Sequence, residues 1–233
     1  MDKQQALINA TQKFVYAYHQ SDNTGHDTHH VRRVYENACQ LLKSTPQADA
    51  FVVQMSALLH DVDDHKLNTN GMVAQNFLKT LDLSDTLIHQ IVQTISSISF
   101  SKSGSNPQFE TWEQKVLSDA DKLDAIGAIG ICRAIQFGTA KQTPLFEPDI
   151  FPKENLTAQE YNDLTRKENT AINHFFDKLL KLKTAFCTSA GQAEAQKRHQ
   201  TMVMFLTAFF EEQNLNDWLD YLKKADNINL TNI

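Results

Sequence analysis

The run Ala57-Leu58-Leu59-His60-Asp61 decides the fold. It closes an apolar helical stretch from about Ala48 to His60 with an imidazole and a carboxylate. A carboxylate at a helix C-terminus opposes the helix dipole, so a bound cation explains Asp61 better than a plain helix end. Adjacent residues do not face the same way on a helix. His60 and Asp61 can therefore both reach one ion only where the helix stops and the chain turns.

His30 lies thirty residues upstream of His60, and Asp121 lies sixty residues beyond Asp61. Those separations leave room for intervening helices to return to one place. Two imidazoles and two carboxylates make a mixed nitrogen and oxygen shell. Such a shell suits Mn, Fe, Co, Ni or Zn better than Ca or Mg, which prefer oxygen alone. With positions left open, a cation held this way is equipped to polarise a phosphoryl oxygen and to activate water.

Around this constellation, apolar residues recur mainly at helical spacing. Leu7, Ile8, Phe14, Val15 and Tyr18 form one stripe, and Val31, Val34, Ala38, Leu41 and Leu42 a second that closes before Pro46. Asn70 is the expected cap of a helix carrying Val73, Phe77, Leu78 and Leu81, and Ser84 the expected cap of the next, carrying Leu87 to Ile95. A helix from about Thr111 to Leu123 follows. The Ala125 to Phe137 run, with Gly127 and Gly130, reads as a tightly packed buried helix. Thr139 to Leu164, with Pro144, Pro148 and Pro152, reads as a long surface excursion, either a lid or a disordered segment. Helical period returns from Glu168 to Lys183, and one last helix is expected from about Ala190 to Lys224. The prediction is an all-α, single-domain helical bundle over 1–224, with a metal core over about 25–138, C-terminal helices over about 168–224 and a frayed tail over 225–233.

Composition agrees. The chain has 233 residues, 41% hydrophobic and 21% charged, enough for a sizeable core, and only 7 Gly and 5 Pro, which favours long elements over tight turns. A net charge of −6 leaves no footprint for nucleic-acid binding. Cys39, Cys132 and Cys187 are odd in number and unpaired in spacing, which reads as reduced, buried thiols. With no secretory signal and no membrane-length apolar run, a soluble cytoplasmic protein is expected.

Three blocks carry a resemblance: Gly25-His26-Asp27-Thr28-His29-His30-Val31-Arg32-Arg33-Val34, then Leu58-Leu59-His60-Asp61, then Ser118-Asp119-Ala120-Asp121-Lys122-Leu123-Asp124-Ala125. In this order they resemble the HD superfamily of metal-dependent phosphohydrolases, and most closely its small stand-alone bacterial branch. Residues 124–131 and 172–175 are further familiar stretches, so the resemblance runs from about Gly25 to Phe209. It implies a helical bundle with the metal between helices and His30, His60, Asp61 and Asp121 as ligands. Asp119 and Asp124 compete with Asp121 by spacing; motif position favours Asp121.

Asp64 resembles the acidic position that follows the pair in the alarmone-hydrolase branch, where it positions or deprotonates water; Asp63 is its competitor. His26, four residues before His30, is placed beside the metal or leaving group, and Lys122 against a phosphate oxygen. Arg33 is expected either to hold phosphate or to form a salt bridge inside the bundle. Asp27 is read either as a substrate contact or as a helix cap, and Lys178 as part of a phosphate-binding edge. Branches with two metals add a His pair before the last Asp. The comparable stretch here, Ile98-Ser99-Phe100-Ser101, has none, so one divalent metal is expected, with manganese among the candidates. The expected partner is a small phosphorylated substrate, a nucleotide, with neither nucleic acid nor membrane; a homodimer is one option. The expected activity is nucleoside triphosphate pyrophosphohydrolysis or phosphatase action. The alternative is a non-catalytic regulatory module that binds metal and nucleotide.

Overall fold

The computed structural model describes residues 2–19, 27–63, 72–98, 108–153, 156–157, 159–160, 163 and 165–226. These are all-α, with no strand among the described residues. Among the described residues, seven regular helices come first: α1 (Lys3–Tyr18), α2 (Thr28–Leu42), α3 (Ala50–Leu59), α4 (Val73–Lys79), α5 (Asp85–Ile98), α6 (Trp112–Asp124) and α7 (Gly127–Ala140). A π-helical turn (Phe175–Leu179), a 3-10 turn (Leu180–Thr184), α8 (Ser189–Glu211) and α9 (Asn216–Asp226) complete the order. The chain forms two compact units. One holds residues 1–124 and 186–191, and the other holds 125–185 and 192–233.

In the first unit α3 is the central helix, touching α1, α2, α5 and α6. Its sequence explains this position: Phe51, Val52, Val53, Met55, Ala57, Leu58 and Leu59 are all buried, so no face is left for water. Truncating Leu58 or Leu59 to Ala would cost about 2–5 kcal/mol. Asp49 caps α3, accepting the Phe51 and Val52 amides at 2.9 and 3.2 Å. Ser84 caps α5 through the Leu87 amide, as its position predicts. Asn70 lies outside the described residues. The first amides of α4 are met instead by Asp63, which accepts from Val73 at 2.6 Å and from Ala74.

The return segment of this unit is held by Asp119. Its Oδ1 accepts the Cys187 amide at 2.8 Å, and its Oδ2 accepts the Thr188 amide and hydroxyl at 2.8 and 2.7 Å. Gly191 is required beside it, since a Cβ there would lie 2.3 Å from Asp119 Oδ2. Burial pushes the Asp119 carboxyl up, against the pull of those hydrogen bonds.

In the second unit, three expectations are corrected. The helix read as buried, α7, buries mainly its glycines, while Ile129 and Phe137 are 43% and 53% exposed. Its small residues are the inward face: a Cβ on Gly127, which sits at φ 75°, would lie 2.9 Å from Arg198 Cβ. The 168–183 stretch is not one regular helix but the π and 3-10 turns. Over so few residues their periods are not separable from 3.6. The expected last helix is two, because Asn214 takes a left-handed φ of 58°. The Leu215 amide donates back to Phe210 and the Asn214 amide to Glu211, the hydrogen bonds of a Schellman C-cap. The thiol expectation is corrected as well: the cysteines are free, but Cys132 and Cys187 are exposed.

Residues 146–151 are tied down by aromatics. Phe151 stacks on Trp218 at 4.3 Å, Phe146 meets Trp218 at 4.9 Å, and the Trp218 indole donates to the Pro148 carbonyl at 2.8 Å. No helix among the described residues is long and apolar enough to cross a membrane.

Candidate metal centre

Three helix ends of the first unit meet at the candidate site. Asp27 caps α2 by accepting the His30 amide at 2.8 Å, which places His30 in the first turn. His60 is the residue on which α3 stops, and Asp61 follows in the turn. Asp121 and Asp124 lie one turn apart at the end of α6.

The polar atoms converge. His30 Nε2 lies 3.2 Å from His60 Nε2 and 3.2 Å from Asp61 Oδ2. His60 Nε2 lies 3.3 Å from the same Asp61 oxygen, and Asp121 Oδ1 lies 3.6 Å from His30 Nε2. His30, His60 and Asp121 each offer a donor atom within 4.8 Å of the others. Around one ion with ligand bonds of ~2.1 Å, neighbouring donors sit roughly 3.0–3.4 Å apart, so the observed spacings fit a shared cation.

Tautomers make the case sharper. The second nitrogen of His60, Nδ1, lies 2.9 Å from the Ala57 carbonyl, which can only accept, so Nδ1 carries the proton. His30 Nδ1 lies 2.7 Å from Asp124 Oδ2. Arg33 pairs with that carboxylate through Nε at 2.5 Å and Nη2 at 3.1 Å. In the neutral form that a metal ligand requires, both imidazoles aim an Nε2 lone pair at each other and at Asp61. Acceptors so placed repel unless a proton or a metal cation sits among them, and the site fits either.

The field agrees. Burial works to lower the His30 pKa, but the Asp124 hydrogen bond and the Asp61 and Asp121 carboxylates override it, raising it to about 9. His60 is likewise raised: burial opposes the shift, and Asp61 drives it. The pocket favours positive charge. His30, His60 and Asp61 have side chains 4%, 2% and 12% exposed, whereas Asp121 is 40% exposed and forms the open edge.

The other predicted residues separate into groups. Asp64 and His26 lie outside the described residues, as do Ser99, Phe100 and Ser101 of the stretch compared with two-metal branches. Asp63, the competitor of Asp64, is engaged at the start of α4. Asp119, a competitor of Asp121, faces Cys187 and Thr188. Of Arg33's two expected roles the structure shows the internal salt bridge, and of Asp27's two it shows the cap. The Lys122 ammonium lies 2.8 Å from Ser118 Oγ and 5.4 Å from the centre of the Phe109 ring. Lys178 belongs to the π-helical turn in the second unit. Asp124, by spacing only a rival ligand, stands instead behind His30, a role that its sequence position alone does not announce. The available signal was its place one turn beyond Asp121 in α6 and three residues' offset between His30 and Arg33 on α2.

No protein-family profile matches the chain. It is similar to the YpgQ protein of Bacillus subtilis, with 33% identity over 195 residues, spanning 79% of this chain and 83% of YpgQ. Its fold is similar to the crystal structure of an HD-superfamily hydrolase from Bacillus thuringiensis, with a TM-score of 0.72 and 33% identity, covering 91% of this chain and 98% of that one. It is also similar to the crystal structure of Bacillus subtilis YpgQ in complex with ADP, with a TM-score of 0.70 and 27% identity, covering 91% and 97% of the two chains. A His, a His-Asp pair and an Asp gathered at helix ends, in a fold and sequence shared over nearly the whole length with these proteins, lead to one conclusion: the chain belongs to the HD superfamily of hydrolases, in its small bacterial branch.

Proposed function

We propose that the protein is a metal-dependent phosphohydrolase acting on nucleotides, and that it cleaves nucleoside triphosphates to release pyrophosphate. The observation that carries this reading is the convergence of two Nε2 lone pairs and the Asp61 carboxylate within 3.3 Å, an arrangement that calls for a cation. His30, His60, Asp61 and Asp121 would hold it. A bound divalent cation supplies Lewis-acid charge to a phosphoryl oxygen and a water of lowered pKa. The mixed nitrogen and oxygen set favours Mn, Fe, Co, Ni or Zn.

This chain's residues supply the rest. The Asp64 carboxylate takes the proton of the attacking water. The engagement of Asp63 with α4 supports Asp64 over its neighbour. Lys122, next to a ligand on α6, is the cation proposed for a spare phosphate oxygen, and His26 is proposed to meet the leaving group. The ADP complex of YpgQ supports a nucleotide as the substrate class.

The test is a panel of nucleoside mono-, di- and triphosphates with Mn, Co, Ni and Mg supplied in turn, scored for phosphate and pyrophosphate. Pyrophosphate with a nucleoside monophosphate as co-product is expected. Phosphate release from the same panel moves the proposal to a phosphatase. A metal-loaded protein that releases neither defeats it, and nucleotide binding without turnover assigns a regulatory module.

A further inference from the structure

Two residues expected at the substrate, Asp27 and Arg33, are bonded around His30. We infer that Asp27, Arg33 and Asp124 are positioning residues that fix His30 in backbone, ring plane and tautomer, and that Arg33 governs cation affinity through Asp124. This rests on the metal reading of the site and adds a division of labour to it.

Each contact removes one freedom of His30. The Asp27 carboxylate accepts the His30 amide at 2.8 Å and so sets where α2 begins. Asp124 Oδ2, 2.7 Å from Nδ1, sets the ring plane. It also leaves Nε2 as the ring nitrogen that faces His60 and Asp61. Asp124 is only 1% exposed, so a carboxylate there calls for a cationic partner.

Arg33 is that partner. It lies one turn after His30 on the same helix, and its Nε and Nη2 engage both Asp124 oxygens at 2.5 and 3.1 Å. Asp124 Oδ2 thus serves His30 and Arg33 at once. The planar fork matches a carboxylate in a way that a lysine ammonium cannot. A guanidinium committed in this way acts on the cation through two intermediates, the carboxylate and the imidazole, and not by gripping phosphate.

The experiment uses the full chain stripped of metal. Mn2+ affinity is measured by calorimetric titration, and the visible absorption of bound Co2+ reports ligand geometry. The proteins are wild type, Arg33→Gln, Arg33→Lys, Asp124→Asn and, as control, Arg32→Gln, whose exposed guanidinium pairs with Glu36 one turn on. Arg33→Gln and Asp124→Asn should weaken Mn2+ binding by roughly 10- to 100-fold and alter the Co2+ band, as loss of groups behind a ligand does. Arg33→Lys should recover part of the affinity, and Arg32→Gln should match wild type. At saturating metal, KM for the best substrate should stay unchanged in Arg33→Lys.

The inference is overturned if Arg33→Gln binds Mn2+ like wild type while KM rises, which assigns Arg33 to the substrate. Should Arg33→Gln fail to fold, Arg33→Lys decides alone: wild-type affinity and a wild-type Co2+ spectrum defeat the proposal. Wild-type protein that binds neither Mn2+ nor Co2+ is a different result, and it removes the metal reading itself.

Discussion

His30-Asp124-Arg33 in the first unit and His199-Asp226-Lys183 in the second have the same chemical parts: an imidazole, a buried carboxylate and a basic side chain. In both, the carboxylate joins the other two. His199 Nε2 lies 2.8 Å from Asp226 Oδ1, and the Lys183 ammonium bonds to the same oxygen. The difference lies at the second imidazole nitrogen. In His30 it faces another imidazole and a carboxylate across 3.2 Å. In His199 it is Nδ1, buried and with no hydrogen-bond partner among the described residues. The first cluster directs acceptors at a point, and the second directs them only at one another. One has the donor set that could hold an ion, and the other is a clasp tying the last residue of α9 to α8 and the 3-10 turn. Similar residue types therefore carry no function until their free valences are known.

Two histidines extend the contrast. The carboxylates around His30 raise its pKa to about 9. Burial, followed by the Lys178 and Arg166 charges, pushes His174 down to about 4. The first pocket attracts positive charge, whereas the surroundings of His174 resist it.

The largest effect should come from removing a convergent acceptor. His60→Ala is expected to abolish measurable Mn2+ binding and cut turnover by roughly three orders of magnitude, beyond the ten- to hundredfold expected behind the ligands. Breaking the clasp should do the opposite. Asp226→Ala strands a buried imidazole and a cation and should cost about 2–3 kcal/mol in urea unfolding, with Mn2+ affinity unchanged. A loss of metal binding in Asp226→Ala would erase the contrast. Burial raises the Asp226 pKa, but His199 and Lys183 hold it below the ordinary 3.8. The clasp should therefore stabilise fully above about pH 5 and fade as acid carries the pH through the lower folded value.

The field around His174 sharpens the comparison. Its folded pKa lies below that of the unfolded chain, near 6.5, so the unfolded state binds the extra proton first. Stability from this group is complete above pH 6.5 and is lost as the pH falls toward 4, by about 3 kcal/mol. In metal-free protein, His174→Leu should flatten that part of the stability profile relative to wild type; parallel profiles would contradict the shift. The smallest effect is expected at the break between α8 and α9. Asn214→Ala should cost about 1 kcal/mol and Asn214→Gly almost nothing, because only the left-handed φ is at issue. A gain in stability from Asn214→Ala would mean that the two helices merge.

What could be read along the chain follows the range of the interaction. Helices α1 to α6, the cap at Ser84 and the stop of α3 at His60-Asp61 are local patterns of period, turn and capping chemistry. The three motif blocks then identify His30, His60, Asp61 and Asp121 without any geometry. The π-helical turn was illegible because a single widened turn leaves too short a period to measure. The face of α7 was misread because an apolar run does not show which side meets a neighbour, and here glycines do. Asp63 at the start of α4 was read as a possible base because its partners, ten residues on, are backbone amides with no sequence signature.

Helical class is thus a property of the linear chain, since it rests on spacing and residue type, while the resemblance of the three blocks, and not spacing, singles out Asp121 beside His30, His60 and Asp61. The tautomers of His30 and His60, the commitment of Arg33 to Asp124 and the diversion of Asp119 to Cys187 and Thr188 were decided only by folding. Each depends on which atoms from distant segments come within hydrogen-bond reach, and three neighbouring aspartates on one helix look alike until those partners arrive.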